Sequence, residues 1–327
     1  MLKPVATGIP SGNWTEPNEL FDLHIDLPMR TLRTVGELRA ALEPARGEGR
    51  TIGLVPTMGA LHEGHLSLIR RAREECGVVV VSLFVNPTQF NEAADLERYP
   101  RNEQLDRELA HMAGGDLLFA PPTEEVYPKG FSTSVEVLGL TDRLEGAVRG
   151  SAHFKGVTTV VTKLLNMVSP DVAYFGQKDA QQVAVIKRLV GDLDMTVRIE
   201  ACPTVREPDG LAMSSRNAHL SAAERVRALA LSKALAAACT AVSDGERSAE
   251  LLTETVRASM GSLDVEPEYV ALISPDTFEP VSELDEPALL AIAARVGSTR
   301  LIDNVTLYPA VHPEPATLRE TRAICSV

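Results

Sequence analysis

Gly77-Val78-Val79-Val80-Val81-Ser82-Leu83-Phe84-Val85 leaves this chain few folds to choose from. A continuous β-branched run suits a strand covered on both faces, as parallel strands in α/β proteins are. A second apolar run, Ile52-Gly53-Leu54-Val55, precedes it, and Leu66–Arg73 between them reads as a helix. The alternation continues downstream. Helices are predicted over 34–45, 103–113, 156–168 and 181–190, and strands over 116–120, 132–137, 172–175 and 196–201. This pattern predicts an α/β fold with a Rossmann-like, doubly wound parallel sheet.

Past Cys202-Pro203 the texture changes. Ser221-Ala222-Ala223-Glu224 is a capping box that opens an Ala/Leu-rich helix to about Val242. A second helix is expected over 248–260, then apolar segments at 269–274, 288–293 and 300–307. Helices followed by strands predict a smaller α+β domain. The expected division is therefore 1–28, 29–203, 204–308 and 309–327. The first segment, which holds the sole tryptophan, Trp14, reads as a poorly ordered extension, and the last, with three prolines, as a mobile tail. The active site is expected between the two domains, with the smaller one as a lid.

Charge narrows the partners. With 45 acidic against 32 basic residues the chain carries a formal −13, which argues against nucleic acid and anionic membranes. Cys76, Cys202, Cys239 and Cys325 lack metal-ligand spacing and read as free thiols. The chain has no run of about 18 apolar residues and no apolar signal core near Met1, so a cytoplasmic location without a membrane span is expected.

Chemistry concentrates in Val55-Pro56-Thr57-Met58-Gly59-Ala60-Leu61-His62-Glu63-Gly64-His65-Leu66. A strand, a glycine-bearing turn and a helix start make an anion site, because the first helical N–H groups lack partners and the dipole is positive there. His62 and His65 add donors. Further on, Gly176-Gln177-Lys178-Asp179 closes a strand, offering a close backbone approach, a cation and an acceptor for hydroxyls. Met213-Ser214-Ser215-Arg216-Asn217 offers hydroxyls and a guanidinium fork suited to phosphate. Gln89 and Gln182 are neutral amides, able to bind an acid without quenching its carboxylate as a nucleophile.

The His-x-Gly-His element is similar to that of a nucleotidyltransferase superfamily, and the phrase from Pro56 to His65 resembles the pantothenate synthetase (pantoate–β-alanine ligase) family over about 29–308. That resemblance implies that pantoate and ATP give pantoyl adenylate and pyrophosphate, after which β-alanine displaces AMP. ATP is then a substrate that brings Mg²⁺, no protein-held metal is expected, and a homodimer is implied. By the same resemblance His65 is a general acid or charge stabiliser, with His62, Lys178 and Arg216 as its catalytic companions. The implied ATP site comprises Pro56, Met58, Gly59, Ala60, Leu61, His62, Glu63, Gly64, His65, Gly176, Gln177, Lys178, Asp179, Val205, Met213, Ser214, Ser215 and Arg216, with Val205 meeting adenine through its backbone. Gln89 and Gln182 would hold pantoate, Gln89 also touching β-alanine, and Tyr99 and Arg149 would serve either acid.

Two departures from the family pattern stand out. Ala180 replaces a common aromatic residue, and Arg149-Gly150-Ser151-Ala152-His153 is one residue longer than Arg-Pro-x-His and lacks its proline. Two rivals remain open at this point. One is a nucleotidyltransferase that releases its nucleotidylated product, against which the two glutamines argue. The other is a non-catalytic nucleotide-binding protein, favoured only by the two departures.

Overall fold

A computed structural model describes residues 29–90, 93–309 and 325–326. The expected arm with Trp14 and positions 310–324 and 327 of the expected tail lie outside the described residues.

In the first unit each strand is followed by one or more helices before the next. Its elements are β1 (Arg30–Leu32), α1 (Val35–Gly47), β2 (Ile52–Thr57), α2 (Glu63–Glu75), β3 (Val78–Leu83), α3 (Ala93–Arg98), α4 (Glu103–Met112) and β4 (Leu117–Phe119). They continue through α5 (Thr123–Val126), α6 (Glu145–Arg149), α7 (Ser151–Val168), β5 (Val172–Gly176), α8 (Ala180–Asp192) and β6 (Arg198–Cys202). All pairings in its sheet are parallel, in the order β1-β4-β3-β2-β5-β6. From β2 the chain builds outward through β3 and β4, then returns to lay β5 on the other side. The crevice beyond the carboxyl ends of β2 and β5 is the switch point where such sheets bind ligands.

The apolar runs are explained by their two faces. In β3, Val78 and Val80 join one core with Leu38, Leu164 and Ile186, while Val79 and Val81 join another with Leu68, Ile69 and Ala110. β5 divides likewise, Ala173 and Phe175 to the first core and Val172 and Tyr174 to the second. Helices thus cover both faces, which is why these strands read as continuous hydrophobic segments.

The second unit holds α9 (Ala222–Ser243), α10 (Ala249–Gly261), β7 (Pro267–Ile273), β8 (Ala288–Val296) and β9 (Thr299–Leu307), with β10 (Cys325–Ser326) on the edge of β9. Its sheet is antiparallel. β7 alternates cleanly: Val270 and Leu272 face the α9–α10 core, whereas Tyr269, Ala271 and Ile273 face the core of the first unit. By length and composition α9 is the one described helix able to cross a membrane. It instead places Leu231, Ala234, Leu235 and Ala238 in the second core.

The expected strand over 132–137 is corrected. The segment belongs to neither sheet. Helix α7 takes up the backbone of Val135: Thr159 Oγ1 accepts from Val135 N at 3.0 Å, and Thr158 Oγ1 donates to Val135 O at 2.6 Å. The helix expected from 156 starts at Ser151, directly after Gly150, whose φ of +81° ends α6 and turns the chain. A proline cannot adopt that angle, so the glycine at this departure from the family pattern is a conformational requirement. β1, α3, α5 and α6 were not foreseen, being three to six residues long, too short for periodicity to show. Cys76 and Cys202 are buried free thiols, and Cys239 is half-buried.

Candidate active site

The corner between β2 and α2 is held from the side. Gly59 (φ +88°) and Ala60 (φ +51°) take the left-handed conformation. The turn they make aims two backbone donors at one carboxylate: Asp106 of α4 accepts from Ala60 N at 3.0 Å and Leu61 N at 2.7 Å. Asp106 is 2% exposed, and a Cβ on Gly59 would lie 2.9 Å from its Oδ2. Glycine is thus needed twice over, for its angle and for its lack of a side chain. Asp106 had no motif to reveal it; it lies in an amphipathic helix, where an acidic residue normally faces water.

Both histidines cap the helix. His62 is the N-cap, and its Nδ1 accepts from Gly64 N at 3.2 Å; His65 Nδ1 accepts from His62 N at 3.4 Å. Capping and phosphate contact use different nitrogens of the ring. Here Nδ1 does the first, and an imidazole whose Nδ1 accepts carries its proton on Nε2, which has no protein partner among the described residues. Burial, then the charge of Lys178, lowers the pKa of His62; burial, then the neighbouring His62, pushes His65 down to about 3. At neutral pH the site therefore presents two neutral Nε2–H donors, their rings 4.2 Å apart between centroids.

Distant motifs converge on this corner. Gly64 N also donates to Met213 Sδ at 3.2 Å, so the turn after residue 205 lies on the start of α2. Val205 O accepts from Met213 N at 2.9 Å, and Ser214 Oγ from Arg216 N at 3.3 Å, which shape that turn. Lys178 and Asp179 act electrostatically on both histidines. Lys178, Ser214, Arg216 and Arg300 line one recess, and Arg216 is also within electrostatic reach of Arg149, Asp179 and Glu145. The backbone carbonyls of Gln177 and Lys178 accept from Asn304 Nδ2 of β9 at 3.1 and 2.9 Å, so the second unit pins this turn. Gly176 closes β5 just before it, and Ser215 is exposed in the facing loop. Tyr99 stacks edge-on with Phe90 at 5.7 Å, near Arg216.

Some expected members stand apart. Glu63 points outward and pairs with Arg70 at the surface, leaving only its backbone at the corner. Pro56 is a ladder residue of β2, and Leu61 is buried in the core beneath α2. Arg149, expected on a substrate, donates from Nε to Glu145 Oε2 at 3.1 Å. The same carboxylate takes Arg300 through both terminal nitrogens at 2.7 Å and the Tyr269 hydroxyl at 3.0 Å. Arg300 and Tyr269 belong to the second unit, so Glu145 joins the two units. Its carboxyl stays below the usual range: desolvation raises it, but Arg300 and then Arg149 outweigh that.

The glutamines divide. Gln89 accepts at Oε1 from Asn86 Nδ2 at 3.0 Å and donates from Nε2 to Met58 Sδ at 3.0 Å. Gln182 is half-buried with no side-chain partner among the described residues. Its neighbour Gln181 is structural instead: it accepts from Glu145 N at 3.0 Å and donates to Leu140 O and Arg143 O. His153, not foreseen as a site residue, bonds Gln89 O through Nδ1 at 2.8 Å.

Comparison with known proteins shows the family. A family model described as pantoate-beta-alanine ligase matches residues 30–306. The pantothenate synthetase of Pelotomaculum thermopropionicum is 50% identical over 283 residues, covering 85% of this chain and 99% of the relative. That of Thermotoga petrophila is 51% identical over 280 residues, covering 85% and 100%. A Thermus thermophilus pantothenate synthetase superposes with a TM-score of 0.81 at 46% identity, covering 86% of this chain and 100% of the other. A Francisella tularensis pantoate-beta-alanine ligase, solved with β,γ-ATP and β-alanine, gives 0.69 at 35% identity, covering 84% and 97%. The chain belongs to the pantoate–β-alanine ligase family.

Proposed function

We propose that this protein joins pantoate to β-alanine in two steps, with the β2–α2 corner as the seat of ATP. In the first, a pantoate carboxylate oxygen bonds the α-phosphorus and the bond to the β-phosphate oxygen breaks, releasing pyrophosphate. In the second, the β-alanine nitrogen bonds the pantoyl carbonyl carbon, AMP leaves, and the nitrogen loses a proton. One observation carries the reading: three segments far apart in sequence, around His65, Lys178 and Met213–Arg216, meet at one helix N-terminus.

The roles follow from the groups. The Nε2–H groups of His62 and His65 donate to phosphate oxygens whose negative charge grows as pyrophosphate departs. Being neutral, they need no counter-ion beforehand. Lys178 and Arg216 supply the positive charge, Arg216 as a planar fork. Asp179 accepts from ribose hydroxyls, and the Val205 backbone lies along adenine. Gln89 and Gln182 hold pantoate, while Tyr99 and Arg149 serve pantoate or β-alanine.

Among the described residues no three of His, Cys, Asp and Glu converge as a metal site. Mg²⁺ arrives on ATP, with phosphate and water as its ligands. The reading divides the chain near 203/204, with the second unit closing on the cleft by exchanging the polar contacts of Glu145, Asn304 and Met213 that ring it. It further includes a homodimer, to which the exposed Leu138 and Val148 offer apolar surface, in a cytoplasm whose reducing state suits the free thiols.

The test is pantoate-dependent exchange of labelled pyrophosphate into ATP without β-alanine. Exchange, followed by pantothenate and AMP once β-alanine is added, is the expected result. Binding of ATP by a folded protein with no exchange would overturn the adenylate route.

A further inference from the structure

We propose that Tyr127 is a positioning residue: acting through Asn86, it fixes which way the Gln89 amide faces and so turns its NH₂ towards the acid substrate. The proposal rests on the reading of Gln89 as a pantoate contact.

Asn86 is 1% exposed, and its amide is fully committed. Its Oδ1 accepts from the Tyr127 hydroxyl at 2.8 Å, from Thr88 Oγ1 at 2.9 Å and from Thr88 N at 3.3 Å. Its Nδ2 donates to Gly156 O at 3.1 Å and to Gln89 Oε1 at 3.0 Å. A flipped Asn86 would set its NH₂ against the Thr88 N–H, which can only donate, and its oxygen against Gly156 O, which can only accept, so one orientation is enforced. The oxygen of Gln89 is thereby engaged, and its nitrogen is the end left for a ligand. One N–H meets Met58 Sδ; the other has no protein partner among the described residues. A carboxylate oxygen is met by a donor, where a reversed amide would present a carbonyl and repel it.

Of the donors to Asn86 Oδ1, Tyr127 alone comes from outside the 86–89 turn. Thr88 travels with the turn and cannot anchor it. Tyr127 sits at the end of α5, its ring between Phe84 at 6.1 Å and Phe131 at 5.2 Å. On the opposite side a Cβ on Gly156 would lie 2.5 Å from Thr88 O, so glycine lets α7 approach and supply the second acceptor.

Tyr127→Phe keeps the ring and removes the hydroxyl alone. The loss of one hydrogen bond should raise the pantoate KM about fivefold, with kcat and the ATP KM within about twofold. The deciding measurement is a double-mutant cycle with Gln89→Ala, or Gln89→Met if the alanine variant is unstable. With Gln89 gone, Tyr127→Phe should no longer change the pantoate KM. The same fold-change in both backgrounds, or an equal rise in the ATP KM, would show a merely structural role and overturn the proposal. If the Gln89 variant alone leaves the pantoate KM unchanged, the reading of Gln89 fails first, and the proposal with it.

Discussion

At the Gly59–His65 corner the contacts within the first unit are backbone N–H groups, two neutral rings and one buried carboxylate. Around Glu145, side chains of both units meet, and Glu145, Arg149 and Arg300 carry full charges. The difference is one of task. Neutral, desolvated rings leave the helix's positive end available for an incoming anion and need no reorganisation when one arrives. A charged node is costly to desolvate and adds little net stability, but it fixes which groups meet across a seam. The corner is built to receive charge, the node to register two units.

His65→Ala tests the corner most severely. Losing one donor to developing charge should slow pyrophosphate exchange by about 10²–10³-fold. Its helix-capping share should cost only about 1 kcal/mol in a urea melt. Full exchange activity in the variant would mean that the corner is merely structural.

Next in size is the node. Arg300→Met leaves Glu145 with Arg149 and Tyr269 only, and should lower unfolding free energy by about 2–3 kcal/mol. Adding Glu145→Gln should recover part of that loss, since the uncompensated charge is removed. If the double variant were as unstable as the sum of the singles, charge matching would not be what the node provides.

Acid should separate the two regions. Unfolded, His65 titrates near 6.5; folded, it is pushed down to about 3. Below pH 6.5 the unfolded chain binds a proton that the folded corner refuses, so stability falls as pH drops from 6.5 towards 3. His62 and His153 act in the same direction. A His65→Gln variant should show a flatter urea midpoint between pH 6.5 and 4.5, and an unchanged slope would remove His65 as the cause. Glu145, held low by Arg300 and Arg149, keeps its charge until more acidic pH, so the node should outlast the corner.

The smallest expected effect lies between the regions. Gly150→Ala forces a side chain onto φ +81° and should cost about 1 kcal/mol, with nothing within 4 Å of the new Cβ to add a clash. A much larger loss would mean that the α6–α7 break also sets Arg149 against Glu145.

Much of this was legible along the chain. The capping box at Ser221 forms as expected, Ser221 Oγ accepting from Glu224 N. The valine run became β3 and the glycine-bearing phrase became a strand–helix corner. Other readings failed for lack of a local signal. Ser132–Val137 has strand composition, yet it joins neither sheet, and threonines of α7 take up the backbone of its Val135. Gln181 and Gln182 are identical in sequence terms, and only the direction each faces from α8 makes one structural and leaves the other open.

What the sequence determined by itself is what short range determines: hydrophobic period, caps, glycine turns and the order of strands and helices. These depend on residues within a turn or two of one another. Tertiary structure alone decided that Asp106 holds Ala60 and Leu61, that Tyr127 reaches Asn86, and that Arg300 meets Glu145 from 155 positions away. Each joins groups whose separation along the chain leaves no pattern. Their pairing follows from which faces the cores bury and which polar atoms that burial obliges to find a partner.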